Sequence, residues 1–337
     1  MINQLDMRQL KIKKKRVVAL TGAFGFIGSH LIPLLDGDNR YSKIVAIDIK
    51  SPPFAAKKLS YYNLDLTSPS AESELIKILR GEKVDIFVHL AFLSNPVANT
   101  EWVHELESVG TFKVLNACAG AMINRFIMWS TTMVYGAYPD NPGYLTESHI
   151  KRGCPGFSFV QDKLEAEQTL IEFASKRSEF KYTILRTCTI VGPTVDNIFT
   201  SLFLKNYVPV VMGYDPLMQF IHEVDVIDLF KYVLDKDVVG EYNVAADGVL
   251  PISEIMRLGG IIPIPIPYSV FKGVISFLWN GQLIRYPAGF LNYMKYVFNV
   301  DNERLRKDMG FVPKYSSVEA IKNYLGTRRL RRIELAS

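Results

Sequence analysis

Cysteine is scarce in this sequence: Cys118, Cys154 and Cys188 are the three among 337 residues, and no C-x-x-C pair occurs. An odd, scattered set of thiols suits a reducing compartment and supplies neither a disulfide framework nor a zinc site, so no metal is expected. Long apolar runs are missing as well. The most apolar stretch, IIPIPIPYSVFKGVISFLW at 261–279, is broken by three prolines and Lys272, whereas a bilayer crossing needs about 18 uninterrupted residues. The first 16 residues mix acid and base and lack the apolar centre of a secretory leader. A soluble, cytoplasmic protein without a transmembrane segment is expected. Repeats and low-complexity tracts are absent too, and 48% hydrophobic against 22% charged residues excludes a disordered chain.

A strong charge of either sign is also lacking. Lysine and arginine number 39 against 34 acidic residues, and the net charge of +5 gathers in KIKKKR at 11–16 and RRLRR at 328–332. No aromatic platform or nucleic-acid motif accompanies these runs, which read as solvated flanks, so no nucleic-acid partner is expected.

What is present is alternation. RVVALTG (16–22), KIVAIDI (43–49), DIFVHLA (85–91), RFIMWST (125–131) and KYTILRT (181–187) are short and continuously apolar, the pattern of buried parallel strands. Helical spacing runs through 72–81, 101–121 and 158–177. This order predicts an α/β fold with a doubly wound parallel Rossmann sheet, whose ligands sit at the carboxyl ends of the strands. After about residue 187 the alternation loosens into short strands such as VPVVMG and EYNVAA, proline-rich loops and late helices, which suggests a smaller C-terminal α/β substrate lobe. PIPIP at 263–267 reads as an extended edge segment, because proline cannot donate to an interior ladder. The following YSVFKGVISFLW carries Val270, Phe271, Val274, Phe277 and Leu278 at helical spacing, a stripe expected to pack on that lobe.

TGAFGFIGSHL at 21–31 follows the first strand and opens a helix. In that context Gly22 permits the tight turn, Gly25 lets backbone N–H groups approach a pyrophosphate, and Gly28 lets helix and strand pack closely. Phe24, Phe26 and Ile27 complete the loop. Asp48 ends the second strand twenty residues beyond Gly28, where its carboxylate can accept ribose hydroxyls and would repel a 2′-phosphate, so NAD is expected over NADP.

Further motifs join these residues: NLDLTS at 63–68, HLAF at 89–92, WSTTMVYG at 129–136, FVQDKLEAE at 159–167, RTCTIVGP at 186–193, QFIHEVDV at 219–226 and DNERLRKDMGFVP at 301–313. In this order and spacing the chain resembles, over roughly residues 16–325, an extended short-chain dehydrogenase/reductase of the NAD-dependent epimerase/dehydratase, UDP-glucose 4-epimerase-like, family. The resemblance implies a domain division: a basic flank at 1–15, an NAD-binding domain at 16–187 with 219–246 returning to it, and a substrate-binding lobe at 188–337. It implies adenine contacts from Asp65 and Leu66, and nicotinamide-ribose contacts from Leu90, Ala91 and Lys163. It also implies a homodimer formed through the helices at 101–121 and 158–177.

Catalysis in the family, as the resemblance implies, transfers a hydride at a sugar or nucleotide-sugar carbinol while a tyrosine moves the hydroxyl proton. Thr131 falls on the Ser/Thr that orients the substrate oxygen and Lys163 on the lysine. The tyrosine position, however, holds Phe159, which neither donates nor accepts. A positioned general acid contributes about a hundred- to ten-thousand-fold in rate. Glu107 stands at the position of a supporting asparagine, and Met218 where an arginine commonly meets the sugar-nucleotide pyrophosphate. Tyr144, Glu147, His149, Cys154 and Tyr135 are weighed as replacement proton donors, and Arg285 or Arg304 as a replacement clamp. Ser158 points about 100° away from Phe159 on a helix and is a poor substitute. His89 and His222 read as hydrogen-bonded structural residues. Three functions stay open: an NAD-dependent epimerase, dehydratase or oxidoreductase with altered acid–base chemistry, a catalytically silent NAD-binding protein, or a reductase of a hydrophobic carbonyl or sterol-like substrate.

Overall fold

The computed structural model describes residues 15–336, with side chains to residue 327. The two basic runs, apart from Lys15 and Arg16, and the flank at 1–15, apart from Lys15, lie outside the described residues and side chains. The first half alternates β1 (Arg16–Thr21), α1 (Phe26–Asp36), β2 (Tyr41–Asp48), β3 (Leu59–Asn63), α2 (Ala71–Glu82), β4 (Ile86–His89), α3 (Thr100–His104), α4 (Gly110–Gly120), β5 (Arg125–Thr131), α5 (Ser158–Ser175) and β6 (Lys181–Thr187). The second half comprises β7 (Thr189–Val191), α6 (Ile198–Phe203), β8 (Tyr207–Val211), β9 (Leu217–Met218), β10 (Phe220–His222), α7 (Glu223–Asp235), β11 (Gly240–Val244), β12 (Leu250–Pro251), α8 (Ile252–Gly259), β13 (Ile262–Ile266), α9 (Tyr268–Asn280), α10 (Phe290–Tyr293), α11 (Glu303–Met309) and α12 (Ser317–Ala336).

Seven strands form one parallel sheet in the order β11-β6-β5-β4-β1-β2-β3. The chain winds outward from β1 through β2 to β3, then restarts at β4 on the other side of β1. The crevice at the carboxyl ends opens at that reversal. Strand cores such as Val18, Ala19 and Leu20 are fully buried because helices cover both faces. Leu31 and Ile32 of α1 and Val226 and Phe230 of α7 share one apolar core. Leu75 of α2, Val114 and Leu115 of α4 and Leu170 of α5 share the other. β3 is a strand the sequence pattern missed: LSYYN is only half-buried at the sheet's edge and has no continuous apolar run. A π-helical turn at Glu105–Val109 also interrupts the helix expected at 101–121. β11, which carries the EYNV of EYNVAA, joins the large sheet beside β6.

The remaining strands pair in three two-stranded ribbons. In one of them β13 lies parallel to β8, with Ile262 N–H donating to Asn206 O and Met212 N–H to Ile266 O. PIPIP is thus an edge segment, its two strand prolines lacking only donors that an edge does not need. Around these ribbons α6, α8, α9, α10 and α12 enclose a second core that includes Phe199, Phe203, Phe290 and Tyr293, and Phe159 of α5 reaches into it. The stripe expected to pack inward along α9 is split. Phe271 and Ile275 are buried, while Val270, Val274 and Phe277 are exposed, because the lobe covers only one side of a helix that is apolar on two.

Candidate functional site

The crevice has two adjoining ends, and the first is made mainly of backbone. Gly22 has φ +60, and a Cβ there would lie 2.6 Å from Leu90 O, so the turn can pass beneath the end of β4 only as glycine. A Cβ on Gly28 would lie 2.3 Å from Ala23 O, which fixes how closely α1 packs on the turn. Gly25 caps α1 without a side-chain hydrogen bond, leaving the first amides of that helix as donors for an anion. At the end of β2, Asp48 Oδ2 accepts from Phe24 N–H at 2.8 Å and Oδ1 from Lys50 N–H at 2.9 Å. Those bonds aim the carboxylate across the turn and leave lone pairs for further donors.

A space of about 760 Å³ here is lined by Gly22, Gly25, Asp48, Asp65, Leu66, Leu90 and Ala91. Trp102, Leu106 and Lys50 line it as well. These three escaped the sequence reading: Lys50 lies just past the strand end, and the other two reach the space from α3 and the π-turn. Asp65 is exposed and its Oδ1 accepts from Thr67. Phe24 is buried against Phe54 and Tyr61, and Ile27 points into the core. Of the residues singled out for the dinucleotide, Phe26 and Lys163 instead face the second end. The glycine turn, uncapped helix and strand-end carboxylate form a cradle that fits an adenine dinucleotide.

Side chains make up the second end, a crevice of about 610 Å³ lined by Phe26, Trp129, Thr131, Met133, Phe159 and Lys163, with residues 195–199 at the start of α6 and Leu93. Thr131 ends β5, and its Oγ1 accepts from Met133 N–H at 3.3 Å, capping a short 3₁₀ turn. Lys163, one turn after Phe159 on α5, donates from Nζ to both oxygens of Glu107, at 2.9 and 2.8 Å. The same ammonium lies 3.7 Å from the centroid of the Phe159 ring. Glu107 reaches this point from the π-turn, where an extra residue re-aims the helix, and its Oε1 also accepts from Leu93 N–H at 2.7 Å. Burial holds the Lys163 ammonium below its usual range and the Glu107 carboxyl above its own, while their mutual attraction opposes both shifts. Four residues further along α5, Glu167 makes a different pair, binding Arg186 through Nε at 2.9 Å and Nη2 at 2.7 Å. Both side chains of that pair are fully buried away from the crevice.

The replacement donors considered from the sequence do not line this crevice. Tyr135 donates to Asn243, Glu147 accepts from Asn243 N–H, His149 accepts from Thr146 N–H, Cys154 contacts Gly289 and Asn292, and Tyr144 is exposed. No arginine lines it either. Met218 is buried opposite Leu250. Arg304 pairs with Asp308, and Arg285 borders a separate cleft with residues 95–98. His89 bonds Thr21 and Thr111 through its two ring nitrogens, and burial pushes its pKa down to about 3, which keeps it neutral. His222 caps α7 and stacks on Tyr315.

Residues 18–245 match the NAD dependent epimerase/dehydratase family. An uncharacterized protein of Mycobacterium tuberculosis is 27% identical over 322 residues, 94% of this chain and 85% of its own length. The dTDP-D-glucose 4,6-dehydratase of Mus musculus is 28% identical over 261 residues, 72% of this chain and 71% of that one. Among solved structures, the UDP-glucose 4-epimerase of Thermotoga maritima with UDP-glucose superposes with a TM-score of 0.71 at 18% identity, covering 94% of this chain and 99% of that one. The dTDP-glucose 4,6-dehydratase of Streptomyces venezuelae with NAD bound gives 0.70 at 19%, covering 94% and 98%. At these identities the structures establish a shared fold.

Proposed function

The chain belongs to the NAD dependent epimerase/dehydratase family, and from that premise we propose that it binds NAD along the carboxyl ends of β1, β2 and β4 and oxidises a substrate hydroxyl transiently, on a sugar or nucleotide sugar. The observation that carries this reading is that Thr131 and Lys163 open on one crevice beside the glycine turn. When bound, NAD supplies the hydride acceptor and donor. Gly22, Gly25 and Gly28 would admit its pyrophosphate, Asp48 its ribose hydroxyls, and Asp65, Leu66, Leu90 and Ala91 would flank its adenine and ribose. Residues 16–187 and 219–246 would form the dinucleotide half and the rest of 188–337 the substrate half.

With Phe159 in place of a phenol, the proton falls to the Lys163–Glu107 pair. Burial lowers the Lys163 pKa and raises that of Glu107, which brings the ion pair closer to sharing a proton. As the substrate hydroxyl ionises, Lys163 Nζ would take its proton and pass one of its own to Glu107, and both transfers would reverse when the hydroxyl reforms. Thr131 Oγ1 would orient the substrate oxygen. The largely apolar lining without arginine favours a substrate held more by its ring than by a charged group. A homodimer through α4 and α5 belongs to the same proposal and would cover Phe112, half-exposed on α4.

One observation favours the silent NAD-binding reading: two Lys163 contacts go to Glu107 and its remaining face meets an aromatic ring. Nicotinamide reduction by the purified protein against a panel of sugar nucleotides separates the two. The proposal expects turnover by the natural protein and its loss in Lys163→Met. Turnover by Phe159→Tyr alone would establish the silent reading.

A further inference from the structure

Asp162 precedes Lys163 on α5, yet its side chain belongs to another cleft. That open space of about 1150 Å³ is lined by Asp162 together with Glu101, Trp102, His104 and Glu105, and no lysine or arginine lines it. Three carboxylates therefore share one imidazole, a setting that favours a cation. A fourth acid stands close by. His104 Nδ1 lies 2.9 Å from Asp162 Oδ1 and 3.7 Å from Glu165 Oε2, and one ligand atom from each of the three residues falls within 4.8 Å of the others.

The geometry suits coordination. Asp162 and Glu165 share a face of α5 at i, i+3, and His104 meets them from the end of α3. Ligand atoms about 2.0–2.2 Å from a tetrahedral ion lie about 3.4 Å from one another, and the two measured separations from Nδ1 bracket that spacing. Ion pairing alone leaves one atom without a role. A proton on His104 Nδ1 accounts for Asp162 Oδ1, but Oδ2 of the same carboxylate is buried without a hydrogen-bond partner among the described residues, in a side chain only 7% exposed. Such an unpartnered buried oxygen costs stability. A metal ion in that proton's place accounts for both oxygens, because a carboxylate can coordinate through the two together.

We propose that His104, Asp162 and Glu165 bind one divalent first-row metal ion, zinc being the best match to an imidazole and two carboxylates at this spacing. Water completes the coordination. The expectation of no metal rested on cysteine spacing, which says nothing of a site whose imidazole and aspartate stand 58 residues apart. His104 immediately precedes the π-turn that carries Glu107, and Asp162 immediately precedes Lys163. The ion would thus pin together the two elements that bring Glu107 to Lys163, a structural role outside the crevice. The inference is independent of the NAD reading.

Calorimetric titration of the chelator-treated full chain with zinc chloride tests it. One ion per chain is expected to bind in the micromolar range and to raise the thermal midpoint. The Glu165 side chain is half-exposed, so Glu165→Gln is expected to keep the fold while weakening zinc about tenfold or more. Asp162→Asn, which keeps an oxygen for His104, is expected to weaken it as much. Cobalt(II) in the same place is expected to give visible absorption bands that His104→Gln removes. Failure of the natural protein to bind zinc in the micromolar range overturns the proposal. So does zinc affinity undiminished in either carboxylate variant, which would assign the ion to histidines or cysteines elsewhere in the chain.

Discussion

At the glycine-turn end of the crevice the fold itself makes the cradle, through a glycine turn under Leu90 O, a helix start without a side-chain cap and a strand-end aspartate. At the Thr131 and Lys163 end a few side chains line it, and there an ammonium sits between a carboxylate and a phenyl ring. The contrast shows how such a crevice can diverge. A backbone site is tied to the packing of β1, α1 and β4 and resists change, whereas a side-chain site can be rewired by two substitutions within one fold.

The largest effect expected from breaking this contrast comes at the Lys163 end. Lys163→Met strands the Glu107 charge in a fully buried position, and losing one partner of a buried pair costs about 3–5 kcal/mol. Denaturant unfolding should show that loss, and the double variant Lys163→Met/Glu107→Leu should recover much of it. Next comes Gly28→Val, whose side chain must displace the backbone of Ala23. Calorimetry should show NAD affinity falling about a hundredfold or more, and a variant that binds NAD normally would refute the backbone account. Asp48→Asn should weaken NAD about tenfold, less than the glycine change, because the turn keeps its shape.

The smallest effect concerns His104 of α3. Its hydrogen bond with Asp162, aided by Glu165 on α5 and by Glu105, raises its pKa above the ordinary value. A raised folded value means the contribution is complete below about pH 6.5 and fades as pH rises through the folded pKa. His104 is nearly half-exposed, so only a slight fall in thermal midpoint between about pH 6 and pH 8 is expected. His104→Gln should flatten it.

Much of the first end was legible in the sequence because backbone geometry dictates glycine: only that residue fits φ +60 at position 22 with Leu90 O so close. The strands of the sheet interior were legible for a similar reason, as burial on both faces demands continuous apolar runs. β3 left no such run, being half-exposed at an edge. The π-turn was illegible too, since one extra residue in a helix changes no composition. Glu107 could therefore be named as a departure, but its grip on Lys163 could not be foreseen. Along α9 the spacing of Val270, Val274 and Phe277 declared a helix, yet spacing cannot say which of two apolar faces the lobe will cover.

Single-turnover formation of NADH, followed optically on the natural protein, Glu107→Gln and Phe159→Tyr with one sugar-nucleotide substrate, tests the central claim most directly. If the Lys163–Glu107 pair carries the proton, the natural protein forms NADH and Glu107→Gln slows it about a hundredfold or more. NADH formation at equal rates in the natural protein and Glu107→Gln, or in Phe159→Tyr alone, would contradict it.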